Sequence, residues 1–210
     1  MGGGGGRGER RGLTSERLTR QVEFLVELDR LKTVIRNTRL TDGSRDENSA
    51  EHSWHLAVMA TTLAEHAPPD TDITHAVQLL LLHDDVEIDA GDTDCYDTDG
   101  YTTKQARETA AAERIFGLLP PDQGARLRSL WEEFEANQTA ESRFANALDR
   151  LQPLLLVRHA RYRDWSLRAK TREQVLGRMA PVEHGAPGLW PIVTELIEEA
   201  FTSGRYGRTD

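Results

Sequence analysis

Two adjacent residues, His83 and Asp84, follow a run of four leucines, Leu79 to Leu82, and offer a nitrogen and an oxygen side by side. Such a pair can seed a site for a divalent cation, which takes roughly three to six nitrogen or oxygen ligands brought together from separate elements. Helix neighbours point about 100° apart, so the pair grips an ion only from its edge and other helices must complete the shell. Two residues suit that role: His52, and Asp149, which lies beside the margin of an apolar arc made by Phe144, Ala145, Ala147, Leu148, Leu151, Leu154 and Leu155. His55, three residues after His52, shares its face, and spacing does not choose between the two histidines. Each residue also has a plainer reading. The His-Asp pair can mark a helix end, Asp149 can be a solvated charge paired with Arg150, and His52 can be a polar residue of a first helical turn.

The elements that must position these residues follow from periodicity. Leu18, Val22, Leu25, Leu28, Leu31, Val34 and Ile35 recur at helical spacing and predict a long first helix ending near Arg36, a residue that would favour the helix dipole there. Asp42-Gly43-Ser44 is a turn signal. Asn48 with Glu51 has the spacing of a capping box, so a second helix starts there, runs to about His66 and carries His52 in its first turn. Pro68-Pro69-Asp70 breaks the chain, and a third helix is expected from Asp72 to Glu87, apolar on most faces between Ala76 and Leu82 and therefore central. From Asp84 to Asp99 stand eight carboxylates (Asp84, Asp85, Glu87, Asp89, Asp92, Asp94, Asp97 and Asp99) with Gly91 among them, a loop composition that is ordinarily solvated. Helices are expected again over Thr103–Leu119, Asp122–Glu135, Ala140–Val157 with an interruption at Pro153, Arg172–Met179 and Pro191–Phe201. No stretch alternates with the strand period. The expectation is an all-α, irregular helical bundle forming one domain over 13–205, after a disordered lead-in over 1–12.

Composition narrows the partners. At 210 residues the chain can bury a sizeable single core, and 38% hydrophobic with 29% charged residues is a globular composition. A net charge of −9 argues against binding a nucleic acid polymer, while a small phosphorylated ligand can still be held locally by an arginine and a metal. Cys95 is the only cysteine, so an intramolecular disulfide is excluded and a reducing compartment, the cytoplasm, is expected. The glycine-rich N-terminus has no apolar core of a signal peptide, and no run is long enough to span a bilayer.

Three stretches then stand in a telling order: Arg45-Asp46-Glu47-Asn48-Ser49-Ala50-Glu51-His52-Ser53-Trp54, His83-Asp84-Asp85-Val86-Glu87-Ile88-Asp89-Ala90-Gly91-Asp92, and Asn146-Ala147-Leu148-Asp149-Arg150. Together they resemble the motifs of the HD-domain phosphohydrolases, in particular the 5′-deoxynucleotidase branch. Leu31-Lys32-Thr33-Val34-Ile35-Arg36 resembles that branch's segment ending in a phosphate-binding arginine. The resemblance spans about Leu18 to Val157.

The resemblance implies one divalent ion (Co, Mn, Mg, Zn or Fe) held by His52, His83, Asp84 and Asp149, with His55 left to packing. It implies that Glu87 orients or deprotonates the attacking water, that Asp92 assists the leaving group or the sugar, and that Arg36 grips the phosphate. Members holding two metals carry an extra histidine just before the HD pair, where this chain has Leu82, so one metal and hydrolysis are expected rather than two irons and oxygen chemistry. The expected activity is hydrolysis of nucleoside 5′-monophosphates, 2′-deoxyribonucleotides first among them. The alternatives are a phosphohydrolase for a modified nucleotide and a non-catalytic nucleotide-sensing module. The branch also implies a homodimer, for which Trp131, Phe134, Trp190 and Phe201 could supply apolar contacts, although their ordinary place is the core.

Overall fold

The computed structural model describes residues 8–93, 97–159 and 171–202. Nine α-helices, three short 3₁₀ helices and one small hairpin make up the regular structure of these residues. α1 spans Gly8–Leu28, so a helix begins inside the stretch expected to be a disordered lead-in; residues 1–7 lie outside the described residues. α1 does not reach Arg36. It ends at Leu28, a 3₁₀ turn covers Asp29–Thr33, and strand β1 follows at Ile35–Arg39. Thr33, Val34 and Ile35 are a β-branched run that disfavours helix and fits a pleated strand, which is why helical spacing there misleads. β1 pairs antiparallel with β2, Asp46–Asn48, with Ile35 opposite Asn48 and Arg39 opposite Asp46. The intervening turn is closed by Leu40 N–H on Arg45 O at 3.0 Å, with Gly43 at φ 75°.

β2 leads straight into α2, Ser49–Thr62. The Asn48 side chain accepts from Glu51 N–H while the Glu51 side chain accepts from Asn48 N–H, a reciprocal cap that fixes where the helix starts. α3, Ile73–Leu82, is central as expected, with Ala76, Leu79 and Leu80 buried, but it stops before the HD pair. A tight turn passes through His83–Val86, closed by Asp85 N–H on Leu82 O and Glu87 N–H on Asp84 O, and the one-turn helix α4 occupies Glu87–Ala90. Gly91, at φ 73°, ends it in a backbone conformation that other residues avoid. The carboxylate-rich segment is therefore only in part the solvated loop expected, since Asp84, Asp85 and Glu87 are buried. Asp94, Cys95 and Tyr96 lie outside the described residues, as do residues 160–170 of the arginine-rich stretch.

α5 runs over Thr98–Phe116, α6 over Pro121–Ala136, α7 over Ala140–His159, α8 over Arg172–Gly185 and α9 over Trp190–Thr202. Pro153 does not interrupt α7, which continues through it. One hydrophobic cluster joins α2, α3, α7, α8 and α9 through Leu56, Leu79, Leu80, Phe144, Leu148, Val182 and Ile197. A second joins α1, the HD turn, α5 and α6 through Phe24, Val86, Ile115, Phe116 and Trp131. At Gly185, α8 touches the α7 backbone so closely that a Cβ would stand 2.0 Å from the Arg143 carbonyl oxygen. Trp131 and Phe134 are buried, and Trp190 and Phe201 pack against the first cluster, so these aromatics serve the core. Among the described residues no helix is long and apolar enough to cross a membrane.

Candidate metal centre

Three segments far apart in sequence converge where the two clusters meet. His52, in the first turn of α2, is fully buried, and its Nε2 lies 3.1 Å from Asp149 Oδ1 on α7. His83, at the C-terminal end of α3, has its ring 5.6 Å from that of His52 and packs on Phe134. One ligand atom from each of His52, His83 and Asp149 falls within 4.8 Å of the others. His55 is not in this group; its Nδ1 faces Gln152 Nε2 at 3.3 Å.

The protonation of these groups decides what the arrangement can hold. His83 Nδ1 lies 2.8 Å from the Leu80 carbonyl oxygen, which only accepts, so Nδ1 carries the proton and Nε2 is a bare lone pair. Burial holds His83 below its ordinary pKa, against the pull of Asp84 and Asp149, so the ring is neutral. Its Nε2 has no hydrogen-bond partner, yet stands 3.0 Å from Asp84 Oδ1. Two acceptors face each other across a buried gap, which is unfavourable unless something positive sits with them. That geometry, and the mixed imidazole and carboxylate donors, fit a divalent cation.

Asp84 stands at the edge of this group. Its Oδ1 turns toward His83 while its Oδ2 accepts from Arg36 Nη1 at 2.8 Å. Arg36 thus reaches the site from β1 rather than from a helix end, and the hairpin is what aims it inward. Its Nη1 is also 3.8 Å from both Glu87 and Asp92. Burial opposes the guanidinium charge, but Asp84, Asp92, Glu87 and Asp149 outweigh it and hold Arg36 above its ordinary pKa. Glu87 opens α4 and accepts from Ser49 Oγ at 2.6 Å; burial first, then Asp84, push its pKa up to about 9. Asp149, through Oδ2, accepts from Arg150 Nη1 at 2.7 Å, and despite burial it is held well below the usual carboxylate range by Arg150 and His52.

Three buried residues join the site without having stood out in the sequence. Glu47 on β2 places Oε2 3.5 Å from His52 Nδ1, and its Oε1 accepts from Gln152 Nε2 at 2.8 Å. Ser49 binds Glu87 as above. Gln152 had one available signal, lying one helical turn after Asp149 on the same face; Glu47 and Ser49 lay inside a quoted motif with nothing to set them apart.

The comparisons with known proteins bear on this centre. The family model described as an HD domain matches residues 28–190, a span that contains every residue named above. A bovine protein named 5′-deoxynucleotidase HDDC2 is 34% identical over 151 residues, 71% of this chain and 68% of its own. The human protein of the same name is 32% identical over 135 residues, 64% of this chain and 65% of its own. A crystal structure described as a predicted metal-dependent phosphohydrolase, from Magnetospirillum magnetotacticum, superposes with a TM-score of 0.87 at 47% identity, covering 92% of this chain and 97% of that one. By this match and by the centre it encloses, the chain belongs to the HD-domain family of phosphohydrolases.

Proposed function

We propose that the chain is a metal-dependent phosphomonoesterase that hydrolyses nucleoside 5′-monophosphates, 2′-deoxyribonucleotides in particular, to nucleoside and phosphate. The observation that carries this reading is the convergence of His52, His83 and Asp149 beside a partly buried arginine, Arg36, that also lies within 3.8 Å of Glu87 and Asp92. The names of the bovine and human relatives support the nucleotide substrate.

His52, His83 and Asp149 would hold the ion, with Asp84 at its edge. A divalent cation supplies a lowered pKa for water and charge neutralisation for phosphoryl oxygens. Arg36 presents guanidinium N–H donors whose planar fork matches a phosphate, and a phosphate oxygen takes the place that Asp84 Oδ2 occupies on Nη1. A bound cation and the Arg36 guanidinium would favour the charged form of Glu87, which, held by Ser49 through Oε2, would then receive the proton that the attacking water loses. Asp92, 3.8 Å from Arg36 Nη1, would act on the leaving oxygen or the sugar. The burial of His52, His83, Asp84, Glu87 and Asp149 keeps bulk water from weakening these charges.

The test is phosphate release from a panel of ribo- and deoxyribonucleoside 5′-monophosphates by protein loaded with Co²⁺, Mn²⁺ or Mg²⁺. Release is expected, fastest with the deoxy series, and absent in Asp149→Ala. A protein that binds metal and releases phosphate from none of these substrates rules the reading out.

A further inference from the structure

We propose that Glu47 is a positioning residue for His52: its carboxylate accepts a hydrogen bond from Nδ1–H, so that the ring presents Nε2 to His83 and Asp149. The inference rests on the metal-centre reading and extends it to a residue outside the ligand set. Glu47 is 2% exposed and His52 is fully buried. Glu47 Oε1 is anchored by the Gln152 amide at 2.8 Å, which leaves Oε2 as the free acceptor. That oxygen and His52 Nδ1 both lack a hydrogen-bond partner, and they stand 3.5 Å apart. A buried acceptor and a buried donor site left unmatched at this separation are each unfavourable, and an approach of a few tenths of an ångström satisfies both at once.

The chemistry of imidazole makes the consequence specific. A neutral ring carries one N–H and one lone pair, and whichever nitrogen is given an acceptor keeps the proton. Glu47 lies on the Nδ1 side and Asp149 on the Nε2 side, 3.1 Å away. Both nitrogens therefore face a carboxylate and each can keep a proton in the metal-free protein; when a cation takes the place of the Nε2 proton, Glu47 holds the one on Nδ1 and the Nε2 lone pair faces the cluster. His83 reaches the same result by different means, its Nδ1 being tied to the Leu80 carbonyl oxygen at 2.8 Å. Both histidines therefore have Nδ1 turned to an oxygen outside the cluster and Nε2 turned inward. For His83 the backbone supplies the oxygen, and for His52 a side chain two positions before the first residue of α2 supplies it.

The experiment uses the full chain, stripped of metal and titrated with Co²⁺, as wild type, Glu47→Ala and Glu47→Gln. Calorimetry reads the affinity, and ¹⁵N-edited NMR of the Zn²⁺-loaded protein reads which nitrogen of His52 carries hydrogen. Glu47→Ala is expected to weaken Co²⁺ binding by about 10- to 100-fold, the range typical for removing a partner of a ligating histidine, and to abolish the slowly exchanging Nδ1–H signal. Glu47→Gln, nearly equal in volume but a neutral acceptor, is expected to recover most of the affinity with the Nδ1–H resonance moved upfield; it stands in if the alanine variant does not fold. Unchanged affinity and an unchanged His52 signal in either folded variant overturn the proposal while leaving the metal centre intact. A wild type that binds no divalent ion removes the functional reading itself, and this inference with it.

Discussion

Arg36 Nη1 donates to Asp84 Oδ2 at 2.8 Å, tying the hairpin to the turn that follows α3 across 48 positions of sequence. This ion pair is where the phosphate-binding reading of Arg36 and the metal-ligand reading of Asp84 meet, and it makes their effects separable.

Replacing Arg36 with alanine is expected to lower kcat/KM by about 10- to 100-fold, the equivalent of about 1.5–3 kcal/mol for hydrogen bonds to a charged group. Metal stoichiometry should stay near that of wild type, since Arg36 is outside the three-residue cluster. Arg36→Lys should recover less than half of the lost free energy, because an ammonium lacks the fork. Steady-state phosphate release and metal analysis on the same samples check both parts; loss of metal in Arg36→Ala would contradict the division of labour.

Removal of the ion should destabilise the protein. The ligand atoms come from α2, the end of α3 and α7, so the unfolded chain has no comparable site, and an ion at 100 times its dissociation constant contributes about 2.7 kcal/mol. Melting temperature is expected to fall on treatment with a chelator in wild type and not in His83→Ala or Asp149→Ala. A chelator effect of equal size in the variants would place the stabilising ion elsewhere.

The metal-free protein should lose stability as pH rises. Burial and Arg36 oppose a charge on His52, but Asp149 and Glu47 prevail and push its pKa up to about 9 from an ordinary 6.5. A raised pKa in the folded state contributes stability that is complete below the unfolded value and is gone above about 9. Glu87, pushed up to about 9 by burial and Asp84, acts in the same sense, its penalty growing between pH 4.5 and about 9. Thermal melts of the stripped protein from pH 6 to 9 should therefore move down. Metal affinity should move up over the same interval by about tenfold per pH unit, because the ion displaces one proton from His52. A flat affinity profile would mean that His52 carries no such proton.

Asp85→Asn is expected to stabilise the protein at neutral pH by about 1–3 kcal/mol. Asp85 is buried beside Asp84, its Oδ2 has no hydrogen-bond partner, and burial followed by Asp84 pushes its pKa well above the usual range. A neutral side chain of the same shape removes the burden of a buried acid. Denaturant unfolding of metal-free samples at pH 7.5 measures it, and a lower midpoint for the variant contradicts it.

Gly185→Ala tests the packing of α8 on α7. The added methyl would meet the Arg143 carbonyl oxygen at 2.0 Å, a backbone atom that cannot swing aside. A loss of about 1–3 kcal/mol in denaturant unfolding is expected, and a neutral result would show that the two helices part without penalty.

Much of the frame was legible because packing and periodicity agree. α2 begins where the Asn48–Glu51 cap predicts, and the buried positions Phe144, Ala145, Ala147, Leu148, Leu151 and Leu154 of α7 are those of its apolar arc. What misled was tertiary override of a local pattern. Val34 and Ile35 fall in step with the helical repeat of α1, but the pairing of Ile35 with Asn48 and of Ser49 N–H with Val34 O takes them into a hairpin. The HD turn looked like the end of a helix running on to an open acidic loop. Its burial depends on Arg36, whose partners lie some fifty positions away, and no local window records such a balance of charge. Glu47 did not stand out for the same reason, and Gln152 only by its place one turn after Asp149: each is an ordinary polar residue until the fold sets one against the other.

Pro153 has a further meaning for the helix that supplies Asp149. Proline has no amide hydrogen, and the oxygen it fails to meet one turn earlier is the main-chain carbonyl of Asp149. α7 is in effect two laddered segments welded by the side chains of Leu148, Leu151 and Leu154, with the missing rung directly beneath the carboxylate. Asp149 thus hangs from the least stitched point of its helix, where its orientation is governed by Arg150 and His52 more than by the regularity of the backbone.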